Sequence, residues 1–457
     1  MHENTHQSTG SETSRRDFVK RSAAAIAGAS LAGSLGVARS AHAQGSDLVK
    51  LALIGCGGRG RGAAVQALSN TATRNVKLVA MADAFRGPLE LSLRAIQERC
   101  KDQVDVPEEH MFVDLDGYQR AIDCDVDMVL ICTPPGFRPM QFEAAVKAGK
   151  HVFMEKPLAV DGPGVRRIKA ASEEAKKKGL LVAVGHHLRH EVKHKEAIGR
   201  IHDGILGRIM FLRAYFNSSG VWFRPRKPEQ TEMEYQVANW YYFTWLSGDH
   251  IVEQHVHDLD VMNWMMKDEH PVRANGMGGR QVRTPEWGKA NKYGPDGVGE
   301  IFDHHAVEFE YADGTRMYSF CRHIPGCWMS FSEHAHGTKG RASIEGHGKA
   351  EIFLAGKEEP LHWDRGPDGH QIEHDDLFAA LLAGKPYNDV DWAVNSTMTA
   401  ILGRMASYSG KIVEWDEAIN SQLDLSPKQY KWDAEAPVKL DADGAYACAV
   451  PGVTKAW

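Results

Sequence analysis

Three sets of residues in this sequence have the types and spacing for chemistry. The first is Gly55-Cys56-Gly57-Gly58-Arg59-Gly60, a G-x-G-x-x-G run directly behind the apolar stretch 49–54. Between a strand and a helix, Gly55 permits a tight turn, Gly57 lets a pyrophosphate approach the backbone, and Gly60 lets helix and strand pack closely. The helix N-terminus adds N–H groups and positive dipole for phosphates. Asp83 ends a second apolar run, 76–82, at about the ~20-residue offset expected of a ribose-binding acid. Its charge would repel a 2′-phosphate, which favours NAD over NADP, although Arg86 stands close by. The second set is Glu253 and His257, four apart and so on one helical face. Oxidising an alcohol needs a base near pH 7 while hydride leaves carbon, and imidazole fits. The third is an excess of histidine, 23 in all, including His250, His255, His257, His304, His305, His334 and His336. None forms His-Glu-x-x-His, and His255 and His257 point to different helix faces, so no metal site is expected.

These groups need a scaffold. Apolar runs at 49–54, 76–82, 127–132, 151–154 and 180–184 alternate with helical patterns, as at 140–148 and 165–178. That order predicts an α/β fold, a parallel sheet with right-handed crossovers and ligands beyond the strand C-termini. The glycine loop, Asp83, Thr133, Lys156 and Gly185 all fall at those ends. From Ile209 the pattern turns strand-rich, with Asp313-Gly314 as a hairpin turn.

Residues 148–159, A-G-K-H-V-F-M-E-K-P-L-A, with Thr133-Pro134 and the glycine loop upstream, resemble the glucose-fructose oxidoreductase/inositol dehydrogenase (Gfo/Idh/MocA) family over about residues 48–415. The resemblance implies a Rossmann domain (48–185), then an α+β domain (186–420) with one large, mostly antiparallel sheet. It places Lys156, behind Glu155, between nicotinamide and substrate. It makes His257 the acid/base, with Glu253 orienting the pair or binding substrate, and sets Thr133, Pro134 and His187 on the cofactor and Arg189 on the substrate. The sequence departs from the family pattern at Pro135 (usually Asn), Arg138 (usually His), Glu253 (usually Asp) and His255 (usually Gly). The resemblance also implies a homo-oligomer through the C-terminal sheet.

Trp222, Arg224, Tyr235 and Asn239 lie in an aromatic- and Arg-rich insertion. It reads either as a sugar-stacking, hydroxyl-reading surface or as an oligomer interface loop. Residues 421–457 have weak periodicity and read as an extended tail. Residues 1–43 carry Arg15-Arg16, an Ala/Gly-rich stretch and Ala41-His42-Ala43. They resemble a twin-arginine signal, which implies a protein exported already folded by that machinery to the periplasm or beyond. Free dinucleotide is scarce there, so a tightly bound NAD, recycled in place, is expected. The seven cysteines lack any C-x-x-C pair, and no disulfide framework is expected.

The 457 residues carry a net charge of −6, which argues against nucleic acid as a partner. Three functions fit: oxidation or reduction of a hydroxyl on a sugar, sugar acid or cyclitol; a redox-neutral glycosidase or epimerase with the same cofactor; or a non-enzymatic sugar-binding module. The intact glycine loop, Lys156 and His257 speak against the last.

Overall fold

A computed structural model describes residues 48–292, 294 and 296–457. The export signal read in residues 1–43 lies outside the described residues. Among the described residues the strands form two sheets. The first contains β1 (Val49–Ile54), β2 (Val76–Asp83), β3 (Met111–Val113), β4 (Met128–Ile131), β5 (His151–Met154) and β6 (Val182–Val184). Their order is β3-β2-β1-β4-β5-β6, and every pairing is parallel. β4 and β5 are buried at every position and β1 at all but one, because helices cover both faces. Strands in that setting are continuous apolar runs. The chain reverses direction in strand order between β1 and β4, and a crevice opens beyond their C-termini.

The second sheet contains β7 (Ile209–Ser218), β8 (Arg273–Gly279), β9 (His304–Glu310), β10 (Arg316–His323), β11 (Ser330–Gly337), β12 (Gly340–Glu345), β13 (Ala350–Leu354), β14 (Leu361–Trp363) and β15 (Val413–Glu414). Its order is β14-β13-β12-β11-β7-β10-β9-β8-β15. β7 and β10 pair in parallel and the other neighbours antiparallel. The Asp313-Gly314 turn joins β9 to β10, with Gly314 at φ +84°. β9 and β10 alternate strictly between buried and half-buried residues, the mark of a sheet with one covered face.

Two later segments return to the first half. The helix Gly369–Leu382 sets Leu377 and Phe378 into the same apolar cluster as Leu51, Leu53, Leu78 and Phe153. The helix Val390–Ser409, buried over most of its length, packs on the helix Gly162–Lys177 and on β8. Residues 421–457 form neither helix nor strand, in line with their weak periodicity. They nonetheless pack: Tyr446 is fully buried against Tyr235 and Phe243. Among the described residues no helix is long and apolar enough to cross a membrane.

Candidate functional site

The crevice beyond β1, β2, β4 and β5 is a cavity of about 630 Å³. The glycine loop forms its floor. Gly55 sits at φ +91°, and a Cβ there would lie 2.6 Å from the Thr133 nitrogen. A Cβ on Gly60 would strike the Gly55 carbonyl at 1.9 Å, so both positions require glycine for packing. A Cβ on Gly57 or Gly58 would meet nothing within 4 Å. These two leave a bare cradle at the N-terminus of the helix Gly58–Leu68, which lacks a side-chain cap. That is the geometry an NAD pyrophosphate needs. Asp83 lines the cavity and also holds the loop, accepting from the Cys56 N–H (2.7 Å) and the Phe85 N–H (2.9 Å). Burial pushes its carboxyl up, against the pull of those two donors.

Thr133 and Pro134 form the next wall, where Thr133 Oγ1 donates to Gln141 Oε1 (2.5 Å). Arg59 reaches across the loop to Glu155, Nε to Oε1, at 2.6 Å. Burial alone would raise the Glu155 carboxyl; Arg59, Lys156 and Arg138 together hold it below the ordinary range. Gly185 leaves the room that carboxylate fills, since a Cβ there would lie 2.8 Å from Oε2. Arg138, at a position where the sequence departs from the family pattern, is buried and donates to the Pro157 carbonyl. It steadies the strand end that carries Lys156.

The reacting end lies where the two sheets' segments meet. Lys156 Nζ donates to the Glu253 carbonyl (2.6 Å) and lies 3.3 Å from Glu253 Oε1. Glu253 closes the short helix His250–Glu253, and His257 begins on the next, Val256–Met265. The helix breaks at Gln254 and His255, so the two do not share one helical face as their spacing predicts, yet both side chains reach the cavity. His255 turns the other way, bonding Asp258 and Ser319 in the interior. His257 Nδ1 is buried with no hydrogen-bond partner. Burial, and then the charge of Lys156, holds its imidazolium well below the usual histidine range, so the ring is neutral at pH 7. His187 stands edge-on to it, ring centroids 4.9 Å apart. A neutral imidazole beside an ammonium group can take a hydroxyl proton while the cation stabilises the alkoxide.

Trp222 and Arg224 also line the cavity, with the guanidinium 4.5 Å from the indole centroid. Three residues expected at the substrate do not. Arg189 points away into a salt bridge with buried Asp260 (Nε to Oδ2, 2.8 Å), bonds Asp268 and lies 3.9 Å over Trp392. Tyr235 is fully buried, its hydroxyl bonded to the Asp296 carbonyl. Asn239 is fully buried too, and its amide ties the Arg224 backbone at both N–H and carbonyl. Both fold the insertion and leave its surface to Trp222. Gln254, Trp240, Phe331, His347 and His370 line the cavity without having been singled out in the sequence. His370 comes from the helix Gly369–Leu382 and stacks on His187 at 3.8 Å. Gln254 could have been found from its place next to Glu253. His370, more than 180 residues beyond His187, carries no local signal.

Residues 49–186 match the oxidoreductase family with an NAD-binding Rossmann fold, GFO/IDH/MocA. A curated relative, the 1-carboxy-3-chloro-3,4-dihydroxycyclo hexa-1,5-diene dehydrogenase of Comamonas testosteroni, is 30% identical over 189 residues, 41% of each chain. The alignment thus spans about two fifths of that relative's length. Inositol 2-dehydrogenase of Salmonella typhimurium is 24% identical over 327 residues, 70% of this chain and 82% of the relative. The solved levoglucosan dehydrogenase in complex with NADH and levoglucosan shares the fold, with a TM-score of 0.62 and 17% identity over 80% of this chain and 99% of that one.

Proposed function

With residues 49–186 in the Gfo/Idh/MocA dinucleotide-binding family, we propose that this chain is an exported oxidoreductase. It uses tightly held NAD(H) to oxidise or reduce a hydroxyl of a sugar, sugar acid or cyclitol. One observation carries the reading: the Lys156–Glu253 pair and the neutral His257 open on the same cavity as the glycine loop and Asp83. Bound there, NAD supplies the hydride acceptor or donor. Gly57 and Gly58 cradle its pyrophosphate, and Asp83 takes the adenosine ribose and disfavours a 2′-phosphate. Lys156 holds the substrate oxygen as it gains charge, His257 moves the hydroxyl proton, and Glu253 fixes Lys156. Trp222 offers an indole face to a sugar ring, with Arg224 at its edge.

The names of relatives support the substrate class: an inositol 2-dehydrogenase and a levoglucosan dehydrogenase act on a cyclitol and an anhydrosugar. Retention of the cofactor is supported by the walls of the site: Arg59, paired to Glu155, and His370, brought in by a distant helix, line the same cavity as the loop. Export rests on Arg15-Arg16 and Ala41-His42-Ala43. Replacing both arginines by lysine should strand the protein in the cytoplasm, and normal export would refute this part. Pairing of two copies is supported by the open face of the second sheet, where Tyr215, Phe320 and exposed Trp328 cluster. Light scattering of the purified chain should show a multimer, and a monomer would refute pairing. The central test is absorbance in the reduced-nicotinamide band of the purified protein, before and after candidate sugars and cyclitols. A change without added dinucleotide is expected. Protein that carries no dinucleotide and binds none would refute the reading.

A further inference from the structure

One buried cluster takes no part in this chemistry. Asp249, His250 and His305 bring one ligating atom each within 4.8 Å of one another, and all three side chains are buried. Asp249 precedes the helix that ends at Glu253, and His305 lies on β9. His250 Nδ1 is 2.7 Å from Asp249 Oδ1, and His305 Nε2 is 3.2 Å from Asp249 Oδ2. The second is an ion-pair contact that falls outside strict hydrogen-bonding geometry. Oδ2 already accepts from the Phe302 N–H (3.0 Å) and the Tyr408 hydroxyl (2.6 Å). Nε2 of His250 is likewise buried without a hydrogen-bond partner. The other ring nitrogen of His305, Nδ1, is fixed by Ser407 Oγ at 2.8 Å. Metal-ligating histidines are oriented in this way, through the nitrogen that does not bind the ion.

We propose that Asp249, His250 and His305 hold a divalent transition-metal ion of the zinc class. Two imidazoles and one carboxylate form a donor set that such ions take, at about 2.0–2.2 Å per ligand. A cation among the three side chains gives the Nε2 lone pairs of His250 and His305 a partner. It joins β9 to the segment that ends in Glu253, the residue that holds Lys156. Cys321, the partner of His305 across the β9–β10 ladder, is buried on the same face. His323 stacks on His250 and bonds Gln254 in the cavity wall, so the ion lies one layer behind the substrate cavity. Its role there is to position Glu253 and Gln254, not to touch substrate.

The test is elemental analysis of the untagged chain, made with Zn²⁺ in the medium and dialysed, joined to anomalous scattering at the zinc edge from its crystals. About one zinc per chain is expected, with its peak among Asp249, His250 and His305. His305→Gln and Asp249→Asn should lose more than tenfold of the zinc, whereas His304→Gln, on the neighbouring half-exposed residue, should keep it. Metal-free protein, a peak elsewhere, or full zinc retained by His305→Gln would each overturn the proposal. If the variants do not fold, the anomalous peak of the unaltered chain decides alone.

Discussion

Replacing Arg189 by Met separates a structural role from a substrate role. In the structure the Arg189 guanidinium makes a forked pair with Asp260, at 2.8 Å and 2.9 Å, and adds a 2.7 Å bond to Asp268. Asp260 is 1% exposed, and its other hydrogen-bond donor is Ser396 at 2.6 Å. Methionine keeps the packing on Trp392 but leaves a buried carboxylate without its cation. Removing one partner of a buried pair costs about 3–5 kcal/mol. For a folded unit of this size that is a fall of about 5 °C in melting temperature. Adding Asp260→Asn removes the stranded charge and should restore more than half of the loss, a non-additivity that a double-mutant cycle reads directly. The assay is the denaturation midpoint of the parent, Arg189→Met, Asp260→Asn and the double variant, beside the KM of each folded protein. KM should stay close to the parent's. An unchanged midpoint with a strongly raised KM would return Arg189 to the substrate and refute the ion-pair account.

Lys156→Ala and His257→Ala should each slow single-turnover reduction of bound NAD by about 10²–10⁴-fold. Their joint effect should fall short of the product, because both act on one proton; parent rates in both would make the pair structural. Because burial and then Lys156 keep His257 neutral, the parent's oxidation rate should stay level from pH 7 to below 6.5. In Lys156→Met the acid limb should move to higher pH, and an unmoved limb would contradict that assignment. Asp83→Asn should narrow the preference for NAD over NADP by roughly ten- to a hundredfold, the worth of one charged hydrogen bond (~1.5–3 kcal/mol); an unchanged ratio of dissociation constants by calorimetry would show that Asp83 serves only the loop. Burial holds His186 down to about 4 and His374 well below the usual range. The unfolded chain takes up these protons below about pH 6.5 and the folded chain does not. Stability is therefore full above 6.5 and falls on acidification, by about 1.4 kcal/mol at pH 5.5 for His186, with His374 acting in the same direction; a urea midpoint that does not change between pH 7 and 5.5 would mean that both rings ionise inside the fold.

The parts legible in the sequence are those whose signal is local. β1, β4 and β5 announce themselves because both their faces are covered, which forces unbroken apolar runs. The residues at their ends follow, since strand termini define the crevice; this is why the glycine loop, Asp83, Thr133 and Lys156 meet in one cavity. β3 has no such signal, because three half-buried residues make no pattern. The insertion misled for a physical reason: Tyr and Asn suit a polar binding surface and a hydrogen-bonded interior equally well. Tyr235 and Asn239 took the interior. The place of Arg189 has no local signal, because a guanidinium that would read a substrate also suits Asp260, and only the fold brings Asp260 within reach. His305 and Asp249 approach across more than fifty residues, so spacing alone could not bring them together.

Leu377 and Phe378 complete the apolar layer over β1 and β5 from a position almost two hundred residues downstream of β6. During synthesis the first half therefore leaves the ribosome with that surface bare. At ~5–20 residues per second, the interval between completing residue 186 and residue 382 is roughly 10–40 s. Throughout that time the nascent nucleotide-binding half presents greasy surface to chaperones and to its own copies. A gene fragment cut at residue 186 would make that state permanent and should accumulate as aggregate. Supplying Gly369–Leu382 as a separate peptide offers a direct way to ask whether the missing layer alone restores solubility.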